Sequence, residues 1–117
     1  MTAVLFLVNS VETSAVKREQ RATWMSAYTQ CWPTSSITES TANTHKRICI
    51  NNLDSLQKNN MTTIYYHVRT MCDAMYDSKY EPWSSYVSGT RGQAPIFDPF
   101  AYLIENAHAR GIEVYAC

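Results

Sequence analysis

The strongest constraint on the fold is an alternation of two kinds of segment along the chain. Short runs rich in β-branched and aromatic residues, such as "MTTIYYHVR", predict strands. Longer runs with an apolar residue at every third or fourth position predict helices. From Arg21 onwards the order is strand, helix, strand, helix, strand. Two successive strand–helix–strand units are typical of a parallel sheet with crossover helices, so an α/β fold is predicted.

The first strand and the first long helix lie in the amino-terminal half of the chain. The segment "RATWMSAY", residues 21–28, is interpreted as a buried strand. The segment "STANTHKRICINNLDSLQKNN" has helical spacing of its apolar residues. Thr41 or Asn43 is a suitable residue to cap its start, and Asn59 and Asn60 can end it in the left-handed conformation.

The second helix, "DPFAYLIENAHARG", carries start and stop signals at both ends. Asp98 is placed to cap it, Pro99 occupies the first helical position, and Gly111 follows the last turn. His45 and His108 fall on the two helices and are expected to face solvent. The strand "IEVYAC" comes next, and no helix follows to cover it.

Composition excludes several classes of protein. The 117 residues suit one small domain, and 45% hydrophobic with 17% charged residues argues against disorder. A net charge of zero argues against a basic nucleic-acid-binding surface. The sequence has no GxGxxG or GxxxxGK[ST] motif, so no nucleotide cofactor is expected. No CxxC or HxxxH pattern predicts a metal site, and unpaired thiols are favoured over disulfides for Cys31, Cys49, Cys72 and Cys117.

The amino-terminal residues resemble the end of an export signal. An apolar run from Ala3 to Val8 is followed by the small residues "TSA", although the positively charged start of a signal peptide is missing. Residues 1–16 are therefore predicted to be a partial signal peptide, and residues 17–117 the folded part. The alternative is an ordinary first strand from Val4 to Val8. The run is too short to cross a bilayer, so no stable membrane span is expected.

The connection after the second strand is unusually long. It includes "YDSKYEPWSSYVSGTRGQAPIFDP", residues 76–99, whereas such connections normally need about 2–6 residues. A connection of this length is usually a functional loop. In parallel α/β folds the functional sites lie beyond the carboxyl ends of the strands, where this loop begins.

Three charged residues at this edge are candidates for chemistry. Arg69 ends the second strand and could orient a carboxylate or a sugar hydroxyl, or it could pair with Asp73. Asp73 could act as a general acid or base, or it could simply form the turn after the strand. Glu81 could supply a second carboxylate, but a surface ion pair with Lys79 or Arg91 is favoured.

Two tryptophans lie in loops rather than in periodic apolar stripes. Trp32 follows the first strand, and Trp83 lies in the long connection. An indole face packs well against the C–H face of a sugar ring, so both are candidates for substrate binding. The alternative is that each ring anchors its loop by burying apolar area.

Several motifs together resemble the glycosyl hydrolase-like 10 family of bacterial, mostly exported proteins. The order "VR…DA.Y.SK.EPWS…GT.G" in the long connection and the helix pattern "DP…I..AH.RGIE" carry the resemblance, which extends from residue 17 to 117. It implies a TIM barrel, of which this chain would supply the first βαβαβ units, because a complete barrel needs at least about 200 residues. The site positions that match the family are Arg69, Asp73, Tyr76, Lys79, Glu81, Trp83 and Ser84.

The resemblance also implies a function. A member of this family is expected to be an exported glycoside hydrolase of the cell envelope, whose partner is a carbohydrate, either peptidoglycan glycan or another polysaccharide. Glycoside hydrolysis normally uses two carboxyl groups that flank the bond, with Asp73 and Glu81 the candidates here. In a barrel these groups come from several strands, so this chain alone is expected to be inactive. A non-catalytic carbohydrate-binding or interaction module is the alternative.

Overall fold

The structure, a computed structural model, describes residues 19–117, so the predicted signal segment and the alternative strand at residues 4–8 lie outside it. Three parallel strands form one sheet in the order β1-β2-β3. The strands are β1 (Ala22–Met25), β2 (Thr63–Tyr66) and β3 (Glu113–Ala116). The helices are α1 (Ala42–Lys58), α2 (Ser85–Ser88) and α3 (Pro99–His108). The predicted α/β fold with parallel strands is confirmed.

The register of the strands gives the sheet two very different faces. Trp24, Tyr65 and Tyr115 are aligned across the three strands, and the next aligned row contains Met25 and Tyr66. Because successive side chains of a strand point to opposite faces, these rows lie on opposite sides of the sheet. The side of Met25 and Tyr66 is buried, whereas Trp24 and Tyr115 remain 61% and 47% exposed.

Helices α1 and α3 cover the buried face and contact each other. Leu53 of α1, Leu103 of α3 and Ile64 of β2 are fully buried in one hydrophobic cluster. The ring of Phe100 stacks on Tyr66, with ring centroids 5.5 Å apart and planes nearly parallel. Both crossover helices therefore lie on one side of the sheet, and no helix within residues 19–117 covers the other side.

The capping signals of α3 act as predicted. The Asp98 carboxylate accepts a hydrogen bond of 3.0 Å from the Ala101 N–H, and Pro99 is the first residue of the helix. Gly111 follows the helix with a φ of +71°, a conformation that costs glycine little. These signals fix the point at which the chain leaves the long connection and returns to the sheet.

The start of α1 differs from its prediction in two ways. Thr41 is the cap residue, but its hydroxyl accepts from the Thr38 N–H at 2.8 Å instead of capping the helix. His45, predicted to face solvent, is only 1% exposed. The prediction was wrong because the first turn of α1 packs beneath the loop that follows β1. The Trp32 indole N–H donates to the His45 carbonyl at 2.9 Å there.

One buried thiol, that of Cys49, and one buried hydroxyl, that of Tyr66, are expected to make the fold less stable at alkaline pH. Burial raises the pKa of the Cys49 thiol from its usual 9.0 to about 12, although the charge of Arg110 opposes the change. Burial also raises the pKa of the Tyr66 hydroxyl above its ordinary range. Both groups keep their protons in the folded chain at pH values where the unfolded chain releases them. Their contribution to stability is therefore complete below about pH 9 and is lost as the pH rises.

We expect the free energy of unfolding to fall above about pH 9, by up to about 1.4 kcal/mol per pH unit for each group. Urea denaturation at a series of pH values measures this slope. Cys49→Ala removes one of the two titrating groups, so its slope should be shallower than that of the wild type. A stability that stays constant from pH 9 to 11, or an unchanged slope in the variant, would contradict this explanation.

Candidate functional site

A cleft of about 500 Å³ lies at the carboxyl ends of the strands, on the sheet face that the helices leave uncovered. This is the edge at which parallel α/β folds place their sites. The side chains that line the cleft are aromatic, cationic, sulfur-containing or small and polar, and none is an Asp or Glu: Trp24, Tyr28, His67, Arg69, Thr70, Met71 and Cys117. Its chemistry therefore suits a neutral or anionic ligand with flat apolar faces.

Aromatic rings form a continuous surface from the uncovered sheet face into this cleft. The Trp24 ring lies 5.2 Å from Tyr65 and 5.0 Å from His67, and Tyr65 lies 5.5 Å from Tyr115. These side chains come from neighbouring strands at matched register, which is why their rings meet. Tyr28, three residues after the end of β1, lines the cleft and is 55% exposed.

Arg69, which lines the cleft, forms a bidentate ion pair with Glu81, which does not line it. The Arg69 guanidinium donates from Nε to Oε2 of Glu81 at 2.6 Å and from its terminal nitrogen to Oε1. The Arg69 side chain is 58% exposed and that of Glu81 18%. The hydrogen bond to Glu81, together with its charge, raises the pKa of Arg69. Arg69 therefore holds the long connection against the end of β2, because the two residues are 12 positions apart in the chain.

This pair corrects two predictions. Arg69 was expected to pair with Asp73 if it paired at all, and Glu81 with Lys79 or Arg91. Arg91 instead donates to the Cys72 carbonyl at 3.0 Å. The predictions failed because proximity along the sequence does not show how the connection folds back on itself.

The Asp73 side chain supports the turn-forming interpretation. Asp73 is 2% exposed, and its carboxylate accepts a hydrogen bond of 3.1 Å from the Met71 N–H two residues earlier. An aspartate bonded in this way stabilises the local turn. The residue does not line the cleft, so it is not placed to protonate a group bound there.

The long connection has an internal structure that the sequence did not predict. The Ala74 N–H donates to the Pro82 carbonyl at 2.9 Å, and the Ser84 N–H donates to the Ala74 carbonyl at 2.8 Å. Ser84 then caps the short helix α2 through a hydrogen bond from Tyr86 N–H at 3.2 Å. Residues 74–84 therefore form a closed loop, and the fully buried Ser84 stabilises it.

Of the two tryptophans considered for sugar binding, Trp32 anchors its loop. Trp32 is completely buried, and its indole N–H bonds to His45, so a sugar cannot reach its ring. This corrects its assignment as a substrate-binding residue. Trp83 is half-buried and packs against the core. Tyr76 is also half-buried, with its ring 6.3 Å from Phe100, whereas Lys79 is exposed.

Trp24 and Tyr28 are the cleft residues that sequence reasoning missed. The segment at residues 21–28 was predicted to be buried, yet both aromatic side chains are more than half exposed. The signal was available for Trp24, because successive residues of a strand face opposite sides and its neighbour Met25 is buried. Tyr28 lies beyond β1, so strand alternation does not predict its exposure.

Four further observations concern residues 19–117. A second cleft, of about 530 Å³, lies at the amino ends of the strands, the end of such folds where conservation usually serves stability. No three His, Cys, Asp or Glu side chains of the described part of the chain are grouped to hold a metal ion. None of its helices is both long and apolar enough to cross a membrane. All four cysteines are free thiols.

The fold and the cleft define a βαβαβ segment of a parallel α/β protein with an aromatic-lined site at the strand ends. The chain belongs to the glycosyl hydrolase-like 10 family, whose family model matches residues 19–117. The resemblance inferred from the sequence is therefore confirmed.

Curated relatives carry names that agree with this family. Over 103 residues the chain is 36% identical to glycosyl hydrolase YngK from Bacillus subtilis (strain 168), covering 85% of this chain and 19% of that protein. Over 110 residues it is 30% identical to glycosyl hydrolase DigH from Escherichia coli (strain K12), covering 89% of this chain and 25% of that protein. The chain spans about a fifth to a quarter of the length of these relatives.

Proposed function

We propose that the whole protein to which this chain belongs is a glycoside hydrolase built on a (β/α)₈ barrel. In this proposal residues 19–117 supply three strands of the barrel and one wall of the substrate cleft. The observation that carries the proposal is the position of the cleft. It lies at the carboxyl ends of parallel strands and is lined by exposed rings and an arginine.

The uncovered sheet face supports the barrel. Trp24, Tyr65 and Tyr115 form an aromatic row on it, and Trp24 is 61% exposed. Leaving so much aromatic surface in water is unfavourable, at about 25 cal/mol for each Å² of apolar surface. Closing further parallel strands around this face would bury the row as the interior of a barrel.

The composition of the cleft wall supports a carbohydrate ligand. The exposed ring of Tyr28 offers a flat face to a sugar ring, and Arg69 and Thr70 offer donors to hydroxyl or carboxylate oxygens. A site with few polar groups placed among aromatic side chains is typical of small-molecule and cofactor binding sites.

The arrangement of carboxylates supports the proposal that this chain is inactive alone. Glycoside hydrolysis normally needs two carboxyl groups at the scissile bond. Glu81 is engaged on both oxygens by Arg69, and Asp73 is buried in a turn. We therefore propose that the catalytic carboxyl groups come from later strands, and that Asp73 and Glu81 keep structural roles.

We also propose a substrate class and a location for the whole protein. We propose that the enzyme is exported and acts on bacterial cell-wall glycan or on another polysaccharide. The apolar run at residues 3–8, followed by small residues, supports export. The names of the relatives support glycosyl hydrolysis without specifying a glycan.

Reducing-end release from purified glycans by the whole protein tests the proposal. We expect hydrolysis of isolated cell-wall glycan strands or of one polysaccharide in a panel. Glycan binding without any release of reducing ends would overturn the proposed hydrolase function and favour a carbohydrate-binding module. The absence of Asp and Glu side chains from the lining of the cleft is the observation that favours a carbohydrate-binding module as the second candidate function.

A further inference from the structure

Tyr80 is the most exposed large apolar side chain of the described chain, with 95% of its surface accessible. Within residues 19–117 its ring pairs with no other aromatic ring, and its hydroxyl makes no hydrogen bond. The side chain therefore contributes almost nothing to folding. A lone exposed apolar residue needs no explanation by itself, but the position in which the backbone holds Tyr80 does.

The backbone around Tyr80 is held on both sides. The Ser78 hydroxyl accepts hydrogen bonds from the N–H groups of Tyr80 and Glu81, at 3.2 and 3.3 Å. Pro82 follows and restricts the residue before it. The Pro82 carbonyl accepts from the Ala74 N–H at 2.9 Å, which closes the loop. Tyr80 thus projects from an ordered turn, so holding a ligand costs little additional backbone entropy.

The ion pair fixes this turn at the edge of the cleft. Glu81, the next residue after Tyr80, is bound on both carboxylate oxygens by Arg69, which lines the cleft. Consecutive Cα atoms are about 3.8 Å apart, so the Tyr80 Cα lies within about 11 Å of the guanidinium. The backbone of Tyr80 therefore lies near the edge of the site, and its ring projects from there into solvent.

We propose that Tyr80 is a glycan-binding residue at the rim of the cleft, where its ring stacks on a sugar unit outside the cleft. The inference rests on the proposed function and names a contact that none of the cleft-lining residues supplies. Tyrosine suits this role because it offers a large amphipathic surface with only two side-chain torsions to fix. A rim contact of this kind strengthens the binding of long glycans and not of short ones, since only long chains extend past the cleft.

Binding and turnover by the whole protein test the proposal together. Tyr80→Ala should weaken co-sedimentation with insoluble cell-wall glycan and raise KM for long strands about tenfold, the cost of losing one exposed aromatic contact. Turnover number at saturation and KM for a tetrasaccharide cut from the same strands should stay within about twofold, because the chemistry does not involve Tyr80. Tyr80→Trp should restore binding.

Ile96→Ala is the matched control, because Ile96 is also exposed (62%) and lies in the same connection. The thermal midpoints of both variants should equal that of the wild type. If the wild type binds long strands and Tyr80→Ala binds them equally well, the rim contact is overturned and the proposed hydrolase function is not affected. If the wild type binds long strands without hydrolysing them and Tyr80→Ala binds them more weakly, the proposed hydrolase function is overturned. The rim contact is then supported. A wild type that neither binds nor hydrolyses cell-wall glycan or any polysaccharide of the panel would overturn both proposals.

Discussion

Replacing Trp32 with alanine is expected to destabilise the fold by about 3–5 kcal/mol, the usual cost of truncating a fully buried tryptophan. The side chain is completely buried between the loop after β1 and the start of α1, and its ring lies 6.4 Å from Tyr66. Alanine leaves a cavity there and removes the hydrogen bond from the indole to the His45 carbonyl. Urea denaturation of the whole protein, followed by circular dichroism, measures the loss.

Trp32→Phe separates the two contributions. The phenyl ring fills most of the space but cannot donate. The His45 carbonyl keeps its place in the hydrogen-bond ladder of α1. The expected cost is therefore that of one lost hydrogen bond, about 0.5–1.5 kcal/mol. A Trp32→Ala variant with wild-type stability and abolished glycan binding would show that the indole contacts substrate after all. That result would contradict the complete burial of the Trp32 side chain.

Breaking the Arg69–Glu81 pair is expected to have the largest effect on activity. In the whole protein, Arg69→Met should lower kcat/KM by about 100-fold, because it removes a group from the cleft wall and releases the loop that shapes it. Glu81→Gln should lower kcat/KM in the same direction by a smaller factor. Initial rates on cell-wall glycan strands at several pH values measure both effects.

The pH profile and the double variant decide the role of Glu81. A positioning residue leaves both limbs of the kcat profile in place when it becomes glutamine, whereas loss of a general acid or base removes one limb. If the two residues act as a unit, the combined variant should be no worse than Arg69→Met alone. A missing limb in Glu81→Gln, or strictly additive losses, would restore Glu81 as a catalytic candidate.

The elements of this fold could be predicted because their signals are local. The β-branched run of β2, the Asp98 cap with Pro99 behind it, and the helical spacing of α1 each act within a few residues. Local preference and tertiary packing agree at these places, so reading the chain in order gives the right element. The same holds for the parallel sheet, which follows from the order of the elements.

The candidate site could be predicted in position but not in detail. Its edge follows from the topology, and Arg69 was placed there correctly. Its ion-pair partner depends on how residues 70–83 fold back, which no short pattern in the sequence encodes. Burial is likewise a tertiary property. Trp32 and Trp83 look alike as loop tryptophans, yet the first is enclosed by α1 and the second is half-buried beside the connection.

The central claim is that residues 19–117 form one wall of a glycosidase cleft whose catalytic carboxyl groups lie elsewhere in the whole protein. The most direct measurement compares reducing-end release from cell-wall glycan strands by residues 1–117 alone and by the whole protein, at equal molar concentration. We expect release by the whole protein and none above background by the chain. Turnover by residues 1–117 that disappears in the Glu81→Gln variant would contradict the claim.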